Sequence, residues 1–189
     1  MQAVLARLFD LALLRRLTPK HHALSKQLLP AVSAAADRGQ LWVGVAAVLA
    51  AFGKRRGRRA ALDGLAALAT VSSLVNGPLK QLIRRPRPGR GLARMLIAER
   101  GRAPSTSSMP SGHAASAAAF TVAACAAMPE AGPPVAALAC TVAWSRISAG
   151  RHYPTDVVAG IVTGAATGLA VHYLSKRFVP PTADETRSD

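Results

Sequence analysis

Hydrophobic positions in this chain do not alternate with polar ones. They gather into five nearly uncharged runs, at residues 41–53, 60–79, 111–128, 133–149 and 154–175, separated by short polar or basic stretches. Runs of this length without period-two alternation predict helices. A bilayer core takes about 20 residues of helix, within a range of about 17 to 25, so the first run is short and the fourth marginal. Gly160, Gly164 and Gly168 recur at every fourth position of the last run, the small-xxx-small spacing by which membrane helices pack closely. A soluble bundle of buried alanine-rich helices is the competing reading. Ahead of the runs, Val4, Leu5, Leu8, Leu11 and Leu14 or Leu17 fall near helical spacing among arginines. Asp10 interrupts that stretch and no small-residue cleavage site precedes Pro19 and Lys20, which favours an interfacial helix over a cleaved signal peptide. Residues 21–38 read as a second surface helix or a linker and carry no assigned chemistry. The expected fold is all-α, an integral membrane bundle of about five transmembrane helices with an amino-terminal interfacial helix. Residues 1–39 form the amphipathic region, 40–179 the membrane domain and 180–189 a disordered tail.

Composition sharpens this picture. Half of the 189 residues are hydrophobic and 17% charged, which excludes a disordered chain. Lys and Arg outnumber Asp and Glu by 24 to 9, a formal charge of +15, yet the aromatics are only two Trp, two Tyr and four Phe. So few stacking rings argue against nucleic acid, and the charge suits an anionic substrate or lipid surface. Cys125 and Cys140 lie inside apolar runs and read as packing residues.

If the runs cross a membrane alternately, the conspicuous polar residues collect on one face. The second run ends there with Lys80 and Arg87, the third begins with Ser111, Gly112 and His113, the fourth ends with Arg146, and the fifth begins with His152 and Asp156. Lys80, Arg87 and Arg146 bring three cations to one mouth, and guanidinium forks match phosphate oxygens. Ser111, Gly112 and His113 open a helix whose first N–H groups are unpaired, and Gly112 allows close approach of an oxyanion. His152 precedes a helix opened by Pro154, with Asp156 about one turn on. That spacing lets a carboxylate orient one ring nitrogen and leave the other as a nucleophile. His113 is then the acid that protonates the leaving oxygen and the base that activates water. With Asp156 the lone acidic residue in the expected site, the sequence offers no oxygen cage for a metal, and no cofactor is expected.

These residues resemble a known family. Lys80 to Pro88 fits KxxxxxxRP, Pro110 to His113 is PSGH, and Ser145-Arg146 through His152 to Asp156 fits SRxxxxxHxxxD. Together they resemble the signature of the type-2 phosphatidic acid phosphatase superfamily, over less than half of the chain. The resemblance implies Lys80, Arg87, Ser111, Gly112 and Arg146 as phosphate binders, His152 as nucleophile, His113 as acid and base, and Asp156 as the partner of His152. It also implies a metal-independent membrane phosphatase acting on a lipid phosphomonoester or diphosphate through a phosphohistidine. A polyprenyl-linked lipid or phosphatidate is the expected substrate. Phosphotransfer to a lipid or glycolipid acceptor, and silent binding of anionic lipid, are the alternatives.

Other polar residues receive a blander reading. Arg84, Arg85, Arg90, Arg94 and Arg151 are expected to face solvent or headgroups. Residues 105–108 are an entrance loop, Ser72 and Asn76 bond neighbouring helices, and His21, His22 and His172 are structural. Lys54, Arg55, Arg56, Arg58 and Arg59, with Lys176 and Arg177, lie on the face opposite the site. By the positive-inside tendency that face is cytoplasmic, and the site of this multi-pass protein of the cytoplasmic membrane is extracytoplasmic. Oligomeric state leaves no signal in the sequence.

Overall fold

The computed structural model describes residues 2–17, 23–88 and 106–178, with side chains in the first two helices from residues 8 and 28 onward. His21, His22, Arg90, Arg94, Ser105 and the expected tail 180–189 lie outside the described residues. In chain order the helices are α1 (Gln2–Leu17), α2 (Ala23–Ala35), α3 (Gln40–Phe52), α4 (Lys54–Leu74), α5 (Lys80–Ile83), α6 (Gly112–Ala127), α7 (Gly132–Ser148) and α8 (Pro154–Phe178). Short 3-10 turns cover Asp37–Gly39 and Pro129–Ala131, and a wide π turn covers Val75–Leu79. No strand occurs among the described residues. The all-α expectation holds.

α6 is the centre of the bundle, packed against α4, α7 and α8. It buries Ala114, Ala115, Ala117, Ala118, Ala119, Ala123 and Ala124 together with Phe120, so its neighbours approach almost to its backbone. The three α8 glycines make that contact. A Cβ on Gly160 would lie 2.5 Å from the Ser111 carbonyl oxygen, one on Gly164 2.2 Å from that of Ala115, and one on Gly168 2.6 Å from that of Ala119. On the other side, Phe120 lies against Gly64 of α4, where an added Cβ would meet its ring at 2.7 Å. The same ring stacks at a tilt on Trp42 of α3, with centroids 5.2 Å apart.

Two sequence-based boundaries shift. The cluster at Lys54 to Arg59, a basic stretch that separates two apolar runs in the sequence, is the first turn and a half of α4. A loop is not needed, because Gly53 and Gly57 let α3 turn directly into α4; a Cβ on Gly57 would stand 2.0 Å from the Leu49 carbonyl oxygen. The run at 60–79, expected as one segment, bends at Asn76-Gly77-Pro78. Pro78 has no N–H to give and crowds the preceding turn, and Gly77 takes φ −87° and ψ −106° before the helix resumes at Lys80.

The stretch Lys54–Ile83 and α8 are each long and apolar enough to cross a membrane, while α6 is apolar but only 16 residues long. α3, at 13 residues, extends about 20 Å against a hydrocarbon core of about 30 Å. The expected count of about five spans therefore corresponds to two helices of full spanning length and shorter apolar companions. Outward faces are apolar: Val43, Val48 and Phe52 on α3, and Val162, Leu169, Tyr173 and Leu174 on α8, are exposed. Such surfaces belong against lipid. At the bundle end away from Lys80, His172 Nδ1 lies 2.9 Å from Asp63 Oδ2, and Arg59 joins the same carboxylate at 3.2 Å while donating to Ser175. His172 thus ties α8 to α4, in keeping with a structural role.

Gly164→Ala is expected to destabilise the protein by about 1–3 kcal/mol, because the methyl group must displace backbone. Gly44→Ala, where nothing lies within 4 Å, is expected to be neutral or stabilising by up to about 1 kcal/mol. Thermal unfolding in detergent checks the contrast, and equal effects at the two positions would contradict this packing.

Candidate active site

The bend after α4, the start of α6, the end of α7 and the turn before α8 meet around a cavity of about 650 Å³. Lys80, Arg87, Gly112, His113, Arg146 and His152 all line it. Ser111 and Asp156 stand behind this wall, both fully buried. Ser111 Oγ caps α6 by accepting the Ala114 N–H at 3.5 Å, and its own N–H donates to the Asp156 carbonyl at 2.9 Å. Of the expected oxyanion pair, Gly112 faces the cavity, whereas Ser111 is occupied in joining α6 to α8.

The cations are held by the protein itself. Arg87, 5% exposed, donates to the carbonyls of Thr106, Ser107 and Arg151 and to Thr106 Oγ1 at 3.1–3.3 Å. Its Nη1 also lies 3.0 Å from His152 Nε2. Arg146 is buried and donates through Nη1 to Ser33 Oγ of α2, while its buried Nε has no hydrogen-bond partner among the described residues. Lys80 Nζ donates to Asn76 Oδ1 at 2.8 Å, one turn back across the bend. An oxyanion entering the cavity would find donors from three directions.

His152 Nδ1 lies 2.7 Å from the Ser108 carbonyl, an acceptor that fixes the proton on Nδ1. Nε2 then carries the lone pair, and a guanidinium N–H of Arg87 points at it. The expected orienting carboxylate, Asp156, has Oδ2 3.8 Å from Nδ1, beyond hydrogen-bond reach. That oxygen accepts the Tyr153 N–H at 2.9 Å, so Asp156 shapes the turn carrying His152, and the Ser108 carbonyl orients the ring. Burial pushes the imidazole down to about 4; Asp156 opposes this shift, and Arg87 and Arg146 reinforce it.

Several contributors to the site carry no such role in the sequence reading. Asp37, in the stretch given no chemistry, has Oδ1 2.8 Å from His113 Nε2. Ser33 holds Arg146. Asp10 is buried and pairs with Arg85, which is not the solvated arginine expected: it also pairs with Asp156 at 2.7 Å and lies 4.3 Å above the Tyr153 ring. Ser107 and Ser108 strap the 84–88 segment, Ser107 Oγ accepting the Arg85 N–H and the Ser108 N–H donating to the Arg85 carbonyl. Arg151 lines the cavity, as do Ser72 and Asn76. Ser72 meets Ser116 of α6 at 3.4 Å, as expected of a helix-bridging residue, while Asn76 bonds within its own bend. A carboxylate inside an apolar helix, as at Asp10, was a legible cue; nothing local marks Asp37 or Ser108.

Fold and site define a helical membrane-type bundle whose cavity can hold an oxyanion between basic side chains and two imidazoles. The model of the PAP2 superfamily matches residues 61–180, more than half of the chain, and the protein belongs to that superfamily. In structure it is similar to the transmembrane PAP2-type phosphatidylglycerolphosphate phosphatase from Bacillus subtilis, with a TM-score of 0.69, 20% sequence identity, and coverage of 94% of this chain and 89% of that one. No curated protein matches it in sequence.

Because the folded His152 resists protonation below its ordinary 6.5, an unfolded chain takes up the proton first as pH falls. The stability contributed by neutral His152 is present above about pH 6.5 and is lost progressively toward about pH 4. Unfolding midpoints of the native chain and of His152→Gln, compared across this window, should converge as the pH falls. A constant difference would contradict a buried neutral imidazole.

Proposed function

We propose that the protein hydrolyses a lipid phosphomonoester or diphosphate through a phosphohistidine on His152, without a metal. The observation that carries this reading is the His152 ring: Nδ1 is held by a carbonyl and Nε2 opens toward a guanidinium that can also grip phosphate. Lys80, Arg87 and Arg146 hold the phosphoryl oxygens, with Gly112 at the α6 start. His152 Nε2 attacks phosphorus, forming the N–P bond as the P–O bond to the leaving group breaks. His113 gives its proton to the departing oxygen. Since Nε2 of His113 is engaged by Asp37, Nδ1 is left for that transfer; burial and Arg146 push the imidazole down to about 4, and Asp37 opposes that shift in favour of the imidazolium. His113 then takes a proton from water, the new O–P bond forms, the N–P bond breaks, and His152 regains its lone pair. The cations stabilise charge on the transferring group in both steps. The groups turned toward the phosphate are cations and imidazoles, with Asp37 committed to His113, a donor set that suits an oxyanion better than a hard cation.

The cavity also has an apolar wall at Leu65, Leu68 and Ala69 of α4, so a lipid can present its headgroup to the cations while its chains stay beside the bundle. The basic residues at the start of α4 and at Lys176 and Arg177 lie at the other end, which supports an extracytoplasmic site in the cytoplasmic membrane. Polyprenyl phosphates and diphosphates, phosphatidate and phosphatidylglycerolphosphate, the last taken from the structural neighbour, are the candidate substrates.

Phosphate release from these lipids in detergent with chelator present tests the reading. The native chain is expected to be active and to form an acid-labile phosphoenzyme, and His152→Ala to lose at least about a thousandfold in kcat, as loss of a nucleophile does. Retained turnover in His152→Ala, or abolition by chelator, would sink it. For the acid, Asp37→Asn is expected to slow poor leaving groups about tenfold or more and activated aryl phosphates much less. A loss independent of leaving group would remove Asp37 and His113 from proton transfer.

A further inference from the structure

α1 brings one carboxylate to the back of the site, and its contacts are not those of a surface helix. Asp10 is 2% exposed. Its Oδ2 accepts from Arg85 Nη2 and, at 2.6 Å, from Thr155 Oγ1, while Oδ1 accepts the Thr155 N–H at 3.3 Å. Arg85 uses its other terminal nitrogen for Asp156 Oδ1 at 2.7 Å and Thr155 Oγ1 at 2.8 Å. The guanidinium therefore sits between two carboxylates. Asp156 Oδ2 is the carboxylate oxygen that comes to within 3.8 Å of His152 Nδ1.

The charge arrangement has a consequence for the reaction. When His152 Nε2 bonds phosphorus the ring becomes cationic, and Arg87 and Arg146 already bring positive charge to the same side. Among the described residues, Asp156 is the carboxylate that stands beside the ring to offset it. Arg85 alone would cancel its charge. With Asp10 on the far side of Arg85, the three groups keep one net negative charge next to the ring. Low dielectric makes this balance matter more than it would in water.

We propose that Asp10 and Arg85 are positioning residues that set the negative charge Asp156 presents to His152, so that the amino-terminal helix takes part in the phosphorylation of the histidine. This rests on His152 being the nucleophile. It differs from a mere clasp between α1 and α8 in a way charge can reveal: removing Asp10 alone leaves Asp156 neutralised by Arg85, and removing Arg85 as well restores a single net negative charge.

The test uses the full chain in detergent, with phosphatidate as substrate, or whichever lipid of the panel turns over fastest, and inorganic phosphate, read as a competitive inhibitor, as a probe of the phosphate site. Native protein is compared with Asp10→Asn, Arg85→Gln, their double variant and His152→Ala. Asp10→Asn can still accept the Thr155 N–H, so its shape is kept. Its kcat is expected to fall about tenfold, the effect of about one pKa unit of lost charge stabilisation, with the inhibition constant of inorganic phosphate within about twofold of native. The double variant is expected to recover at least about threefold over Asp10→Asn. A loss below threefold in Asp10→Asn, recovery below threefold in the double variant, or inorganic phosphate affinity falling in parallel with kcat would overturn the proposal in favour of a clasp. Asp10→Ser removes the same charge and takes the place of Asp10→Asn if that variant does not accumulate folded. Turnover surviving in His152→Ala would instead bring down the nucleophile assignment, an outcome read independently of Asp10.

Discussion

The close approach of α6 and α8 is the constraint from which the site follows. Three glycines of α8 lie against carbonyls of α6 at distances no side chain could occupy, and the Ser111 N–H closes the same seam on the Asp156 carbonyl. The seam fixes the relative height of two helix starts. One of them carries Gly112 and His113, and the other follows His152 directly. Without hydrophobic drive between helices in lipid, this kind of backbone-to-backbone packing is what sets a bundle's register. The two imidazoles therefore come to one cavity as a result of glycine spacing well inside the helices.

A second constraint is electrostatic. Lys80, Arg87 and Arg146 converge on one cavity, which would be costly were each not held by neutral acceptors: the Asn76 amide, the carbonyls of Thr106, Ser107 and Arg151, and the Ser33 hydroxyl. These bonds fix the guanidinium planes without neutralising them, so their charge stays available to an anion. The pattern contrasts with Arg85 and Arg59, whose charges are spent on Asp10, Asp156 and Asp63. Among the described residues, Arg87 and Arg146 at the cavity donate to uncharged acceptors, while Arg59 and Arg85, which hold helices together, pair with carboxylates.

That division marks how far the sequence could be read. The all-helical class, the small-residue face of α8 and the gathering of four chain segments on one side were legible, because periodicity and motif spacing act locally. The start of α4 was not, since a helix that turns on two glycines leaves the same cations on the page as a loop would. Asp37 and Ser108 were out of reach for another reason. Asp37 meets His113 from 76 positions away, and Ser108 acts through its carbonyl, which every residue type possesses. Arg85 was misread because its neighbours in sequence are basic, whereas its neighbours in space are acidic.

The Ser108 carbonyl bears on the chemistry in a way a carboxylate would not. A neutral acceptor at Nδ1 fixes the tautomer but adds little to the basicity of Nε2, so His152 stays neutral and its lone pair is not lost to protonation at ordinary pH. The full charge of Asp156, one step further away at 3.8 Å, would gain importance in the proposed reaction, where the ring becomes positive. Orientation and charge stabilisation, often assigned to one group, are here divided between two. In the proposed reaction a nucleophile among arginines needs this division, because an acceptor strong enough to raise its basicity would also draw a proton to the nitrogen proposed to attack phosphorus.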